Sequence, residues 1–140
     1  MRKTLKFNTD KTFSDITGEV ASLSKEWGKS GLVNIFSRHT TCSIWMTENE
    51  KLHLADLDNH LKETFPADGR YLHDQIHLRN DTPKDERING HSHMRSMYFS
   101  SSETIPVEDG ELLVGKWKSL FFVELDPCRD RELVVTFIEM

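Results

Sequence analysis

Cysteine is scarce in this chain: Cys42 and Cys128 are the only two among 140 residues. Two cysteines cannot build a disulfide framework, and so low a count suits a reducing compartment, so a cytoplasmic location is expected. Long apolar runs are missing as well, which excludes a membrane-spanning helix and gives no reason to expect a membrane partner. Met1-Arg2-Lys3 could open a signal peptide, but Thr4-Leu5-Lys6-Phe7-Asn8 supplies no apolar stretch behind it. An excess of positive charge is also absent. The formal net charge of −5 argues against nucleic acid as a partner, because such binding needs a basic surface that displaces counterions. No internal repeat, low-complexity tract or Pro/Gly/Ser linker divides the chain. Its length suits a single domain, residues 1–140, with a core of its own.

What is present alternates first at period two and then at helical period. Arg2 to Thr9 reads as a strand with Leu5 and Phe7 on one face. Ile16, Val20, Leu23 and Trp27 recur at helical spacing, with Thr12 or Ser14 as candidate caps and Gly28 to Gly31 as the stop. Gly31 to Ser37 and Cys42 to Thr47 read as strands. Leu54, Leu57, Leu61 and Phe65 mark a second helix that Pro66 ends. From Asp68 to Gly90 the chain is polar and aperiodic, and loops of that length are often functional. A short helix is expected near His93 to Phe99. Beyond it, Thr104 to Val107 and Glu111 to Val114 flank an Asp109-Gly110 turn, and Leu120 to Leu125 and Leu133 to Ile138 flank a longer hairpin over Asp126 to Arg131. This order predicts an α+β domain: a mainly antiparallel, sandwich-like β core with two or three helices.

Seven histidines in so short a chain are the richest chemical signal. Imidazole titrates near neutral pH and is the commonest metal ligand. His53 and His60 lie seven apart on the second helix beside Asp56 and Asp58, which reads as a solvated polar face. His39, His73 and His93 come from three separate segments, so only tertiary folding can gather them. Three neutral imidazoles with an open fourth position form a catalytic zinc arrangement. Unrelated surface or capping histidines account for the same residues equally well. Glu48 and Asn49 suit a general base with its orienting partner, or the acidic start of the second helix. Arg129 and Arg131 suit a bidentate phosphate clamp, or simply a charged turn. Trp117 suits a stacking platform for a flat ring, or core.

The motifs as an ordered set are more specific than any one of them. His39-Thr40-Thr41, Thr47-Glu48-Asn49 and Tyr71-Leu72-His73-Asp74 are followed by Glu86-Arg87-Ile88-Asn89-Gly90-His91-Ser92-His93. Then come Ile105-Pro106-Val107-Glu108-Asp109-Gly110, Gly115-Lys116-Trp117, Glu124-Leu125-Asp126, and Arg129 with Arg131. This series resembles the YjbQ-like family, known also as secondary thiamine-phosphate synthase enzymes, over nearly the whole chain. The resemblance implies a compact α+β domain, a homotrimer, and a polar site with a divalent metal, zinc or another transition metal, on His39, His73 and His93, with His91 either an alternative ligand or a partner that supports one. It implies catalytic roles for Glu48 and Asn49, and ligand contacts from Thr40, Trp117, Lys118, Arg129 and Arg131. The function expected is a metal-assisted enzyme acting on a small phosphorylated metabolite, with thiamine-phosphate synthesis as a secondary activity. A non-catalytic trimeric module that binds a metal or an anion is the alternative. Two departures bear on substrate choice. Gly115-Lys116-Trp117-Lys118 stands where the family has Gly-Thr-Trp-Gln, and Asp126-Pro127-Cys128-Arg129 where it has Asp-Gly-Pro-Arg.

Overall fold

The computed structural model describes residues 1–140. Eight strands form two antiparallel sheets. The larger holds β1 (Arg2–Asn8), β8 (Asp130–Glu139), β3 (Gly31–Ser37), β5 (Ser102–Glu108) and β6 (Glu111–Leu112), in that spatial order. The smaller holds β2 (Phe13–Asp15), β7 (Ser119–Glu124) and β4 (Cys42–Thr47). Three helices accompany them: α1 (Thr17–Trp27), α2 (Lys51–Thr64) and α3 (Gly90–Ser96). The α+β class read from the sequence is therefore the observed one.

Period-two alternation explains the layering. On β8, Leu133, Val135 and Phe137 point inward to meet Val33 and Ile35 of β3 and Ile105 and Val107 of β5. From the facing sheet come Ile44, Leu120 and Phe122, and α1 adds Val20 and Leu23. The other face of β7 is buried too: Phe121 and Val123 pack with Leu61 of α2 in a second cluster. A strand covered on both faces reads as a continuous apolar run, as Leu120 to Val123 does.

Four local readings need correction. The longer hairpin does not exist: β7 pairs with β2 and β4, whereas β8 pairs with β1 and β3, so Asp126–Arg129 carries the chain from one sheet to the other. Turn residues between two apolar runs do not reveal which sheet each run joins. Neither Thr12 nor Ser14 caps α1; Ile16 is the N-cap, and Asp15 just before it accepts at Oδ1 from the backbone N–H and the hydroxyl of Thr17. Helix α3 starts at Gly90, before the expected His93. The polar stretch before it contains two single 3₁₀ turns, Leu72–Asp74 and Ile76–Leu78. The Asp109-Gly110 turn is as expected, with φ of 47° and 84°, both in the left-handed region.

Both connections that pass between the sheets near residue 40 and residue 127 lie at the same end of the sandwich. Alternation carries Glu124 inward after Leu120 and Phe122, and Arg131 inward before Leu133. The two meet there: Arg131 donates from Nε to Glu124 Oε2 and from a terminal nitrogen to Oε1, each at 2.6 Å. Thr9 and Cys42 donate to the same carboxylate, as does the Asp126 backbone N–H. Burial raises the carboxyl's affinity for a proton, but the bonds from Arg131 and Thr9 outweigh it and hold Glu124 below its ordinary pKa. Burial and the same carboxylate push the Cys42 thiol far up, so Cys42 is an unreactive thiol. Arg131→Met strands Glu124 in the interior and is expected to cost about 3–5 kcal/mol of unfolding free energy in urea titrations. The double variant with Glu124→Leu should regain part of that loss.

Candidate functional site

The end of the sandwich above the Glu124–Arg131 pair opens into a cleft of about 510 Å³. Its walls come from three polar segments: Arg38–Thr41 between β3 and β4, the residue 73–93 region, and Asp126–Arg131 between β7 and β8. None of its fifteen lining side chains is hydrophobic, and five are arginines against three carboxylates. Such a surface attracts anions.

Local stitching assembles the second wall. The Asp74 carboxylate accepts from the Gly90 N–H at 2.8 Å. A Cβ at Gly90 would stand 2.5 Å from Cβ of Tyr71, so only glycine allows this approach. Ser92 donates its hydroxyl to the Leu125 carbonyl, and Asn89 donates its amide to Asp126 at 3.1 Å. Arg95 ties the far end of α3 to α2 through the Phe65 carbonyl, at 2.7 and 2.9 Å. His73 adjoins Asp74, and His93 lies one helical turn beyond Gly90. The stitch therefore brings their rings to a centroid separation of 4.4 Å, tilted by 35°. Burial lowers the pKa of His93 below its ordinary 6.5, and the neighbouring His73 adds to that. His93 is thus a neutral base at pH 7.

His39 lines the same cleft, but its Nε2 accepts from the Glu132 backbone N–H at 3.1 Å. That bond places the ring proton on Nδ1. Burial and then Arg131 lower its pKa as well. The three histidines expected at one site do share one cleft. No group of three or more His, Cys, Asp or Glu side chains is found arranged to hold an ion. One ring nitrogen of His39 is committed to the backbone, and the other carries the proton. The donor set therefore does not fit a three-histidine centre. His91, two positions before His93 on α3, faces away toward Tyr71 and a small separate cavity with Arg95 and Asp58.

Four other expected residues lie elsewhere. Strand β4 starts at the cleft and ends at Thr47, so Glu48 and Asn49 sit roughly 20 Å away at about 3.4 Å per residue. Asn49 donates to Asp15 at 2.8 Å, Glu50 caps α2, and Glu48 is exposed. The start-of-helix reading of that motif is the one the structure matches. Thr47 pairs with Ser119, which puts Trp117 and Lys118 at the same distant end. Trp117 is exposed there beneath the Lys116 ammonium, 4.9 Å from the ring centroid. Within one chain these four cannot act with the histidines.

Thr40 and Arg129 do line the cleft. Arg131 lines it too, but its donors are engaged with Glu124 and it is 5% exposed, so Arg129 rather than Arg131 presents itself to a ligand. Asp126 was not singled out as a site residue, yet it organises the floor. Its carboxylate is buried and takes bonds from Asn89 and Arg129, with Arg87 at 3.7 Å. Arg38 and Arg87 complete the exposed guanidinium array. Arg87 and Asp126 both stand in the ordered motifs, Glu86 to His93 and Glu124-Leu125-Asp126, which was the available signal; Arg38, just before His39-Thr40-Thr41, had none.

The depressed histidine pKa values set the sign of a pH effect. Below pH 6.5 the unfolded chain binds protons that folded His39, His91 and His93 resist, so stability falls as pH drops through that region. A second decline follows below pH 4.5, when unfolded glutamate protonates before folded Glu124. Thermal unfolding followed from pH 8 to pH 3 should show both. His93→Gln should shrink the first decline and leave the second.

The whole chain finds relatives. The family model described as UPF0047 protein YjbQ-like matches residues 2–140. A UPF0047 protein of Methanothermobacter thermautotrophicus is 37% identical over 87% of this chain and 79% of its own length. The UPF0047 protein YugU of Bacillus subtilis is 31% identical over 94% of each. Among solved structures, a YjbQ/UPF0047 family protein from Clostridium acetobutylicum superposes with a TM-score of 0.78, 31% identity and 99% coverage of both chains. A hypothetical protein from Aeropyrum pernix K1, 24% identical, shares the fold with a TM-score of 0.87, covering 100% of this chain and 99% of that one. By fold, by motif order and by full-length match, this chain belongs to the YjbQ-like UPF0047 family.

Proposed function

We propose that the cleft binds a small phosphorylated metabolite and transfers a proton to or from it. The observation that carries this reading is a neutral His93 stacked beside His73 inside a wall of arginines. Arg38, Arg87 and Arg129 keep 62%, 43% and 38% of their side chains exposed, so they hold the phosphate. Asp126 acts as a positioning residue that aims Arg129 and Arg87. His93 accepts the proton, and Thr40 with the Nδ1–H of His39 orients the ligand. No step is assigned to a metal, because the donor set does not fit one. Thiamine-phosphate synthesis enters only as a secondary activity, inherited from the family resemblance.

Two further proposals accompany it. The chain has no helix long and apolar enough to cross a membrane, and its two cysteines are unpaired. We place it in the cytoplasm. We also propose a homotrimer. The trimer count comes from the resemblance, and the outer face of the five-stranded sheet supports self-association. There Leu32 pairs with Ile138 and Pro106, and Phe36 pairs with Val134, and no helix covers them. Ile138 is 51% exposed. Light scattering at micromolar concentration should give three times the monomer mass, and Ile138→Lys with Phe36→Glu should reduce it.

Calorimetry with orthophosphate tests the anion site. Arg129→Ala should weaken binding about tenfold, and Arg87→Ala should do so to a similar extent. His93→Gln separates the enzyme from a non-catalytic anion-binding module. For an enzyme, turnover found by mass-spectrometric screening of phosphorylated metabolites should drop about a hundredfold or more while orthophosphate binding persists. If no phosphorylated compound is turned over, the module reading replaces it.

A further inference from the structure

We infer that a second copy of this chain seats on the outward side of residues 72–98, and that the cleft is complete only where that contact is made. This rests on the self-association proposed above and adds what the contact does for the site. The segment turns its polar side inward. His73, Arg79, Asn89 and His93 are among its side chains that line the cleft. Its large apolar side chains Leu72, Leu78, Ile88, Met94, Met97 and Tyr98 are exposed, and none of them lines the cleft. Between Leu61 and Phe99 no hydrophobic side chain joins either core cluster. Ordering a segment costs conformational entropy at every residue, and apolar burial is the main term that offsets it. The bonds made by Asp74, Ser92 and Arg95 aim this segment. They return little net free energy, because each replaces a bond to water. A lone copy therefore holds one wall of its cleft without an apolar anchor.

A second copy is the occupant that fits. A stable interface takes about 800 Å² from each partner, and six large side chains exposed by 40–85% supply a large part of that. Monomers rarely leave so much apolar surface bare. The chain also carries an unlike apolar surface to meet them, the outer sheet face with Leu32, Phe36 and Ile138. A cyclic assembly closes when one surface of each copy meets a different surface of the next. The two surfaces adjoin. Phe36 of β3 and Ser96 and Phe99 at the end of α3 line one cavity of about 380 Å³, together with Arg38, His39 and Thr40. Those last three residues also line the cleft. A neighbour's side chain in this cavity bears on the back of the loop that carries His39. The contact thus supports the cleft from two sides: behind the residue 38–40 loop and behind the wall that carries His73 and His93.

Leu72→Glu with Ile88→Glu tests this on the full chain, read by light scattering, hydrogen–deuterium exchange and calorimetry with orthophosphate. The two positions are 85% and 66% exposed, so a fold that made no use of the contact would tolerate both charges. The variant should lose assembly mass at micromolar concentration. Amides of residues 72–98 should exchange about tenfold faster while those of β8 keep their protection, and orthophosphate should bind about tenfold more weakly. Leu52→Glu, at an equally exposed position at the start of α2, should change none of the three readings. A variant that keeps the parent's mass overturns the inference. So does one that dissociates with exchange and orthophosphate affinity unchanged, and so does equal dissociation by Leu52→Glu. If β8 also loses protection, the variant has unfolded and dilution of the parent decides: exchange in residues 72–98 that rises with dissociation supports the inference, and exchange that stays constant overturns it. A parent that is monomeric overturns the self-association and this inference together. A parent that assembles but binds no orthophosphate overturns the anion site alone, and the exchange readings then decide the role of the contact.

Discussion

The bidentate pair of Glu124 and Arg131 is the constraint on which the rest of this structure depends. Two sheets packed through apolar side chains can slide, because dispersion and the hydrophobic effect have little directional preference. A buried carboxylate and guanidinium at 2.6 Å cannot slide without leaving a charge unpaired. The pair fixes β7 of one sheet against β8 of the other at the end where the chain passes between them. Every loop of the cleft departs from a residue close to that lock: Arg38–Thr41, Asp126–Arg129, and α3 through its bond to the Leu125 carbonyl. Arg131 thus serves the site by holding its floor, with its charge already neutralised by Glu124.

Above this lock the cleft is built almost wholly from polar contacts. Backbone and side-chain bonds among Asp74, Asn89, Gly90 and Asp126 replace the apolar packing that normally positions a helix. A seven-residue helix has little stability alone, so α3 owes its placement to these bonds and to Arg95 at the end of α2. Two histidines from different turns end up ring to ring, and burial keeps His93 neutral where a solvent-exposed imidazole would share protons with water. The arginines then lie around a base, the arrangement on which the proposed binding of a phosphorylated ligand rests.

Much of the fold was legible in order and composition. The strands Gly31–Ser37 and Cys42–Thr47 match their apolar runs residue for residue, because alternation and flanking polar residues mark both ends. The helix α2 was equally clear from Leu54, Leu57 and Leu61. Sheet membership was not legible. Leu120–Glu124 and Asp130–Ile138 look like hairpin partners locally, and only the competition among all eight strands sends them to different sheets. The candidate site divided the same way. His39, His73, His93 and Arg129 meet in one cleft, while Glu48, Asn49, Trp117 and Lys118 stand at the far end of an extended strand pair. Motif order along a chain carries no information about which end of a strand a residue occupies.

The sequence by itself determined the α+β class, the family, and the three histidines that meet in the cleft. Period-two and helical spacing are local, and residue types keep their donor and acceptor capacities wherever they stand. Tertiary structure alone decided three other matters: that Arg131 is consumed by Glu124, that His39 gives Nε2 to the Glu132 backbone, and that Trp117 stands at the far end of β7 from the histidines. Each depends on distances between segments far apart in the chain. Such distances are set by how the two sheets pack and where the connections between them run.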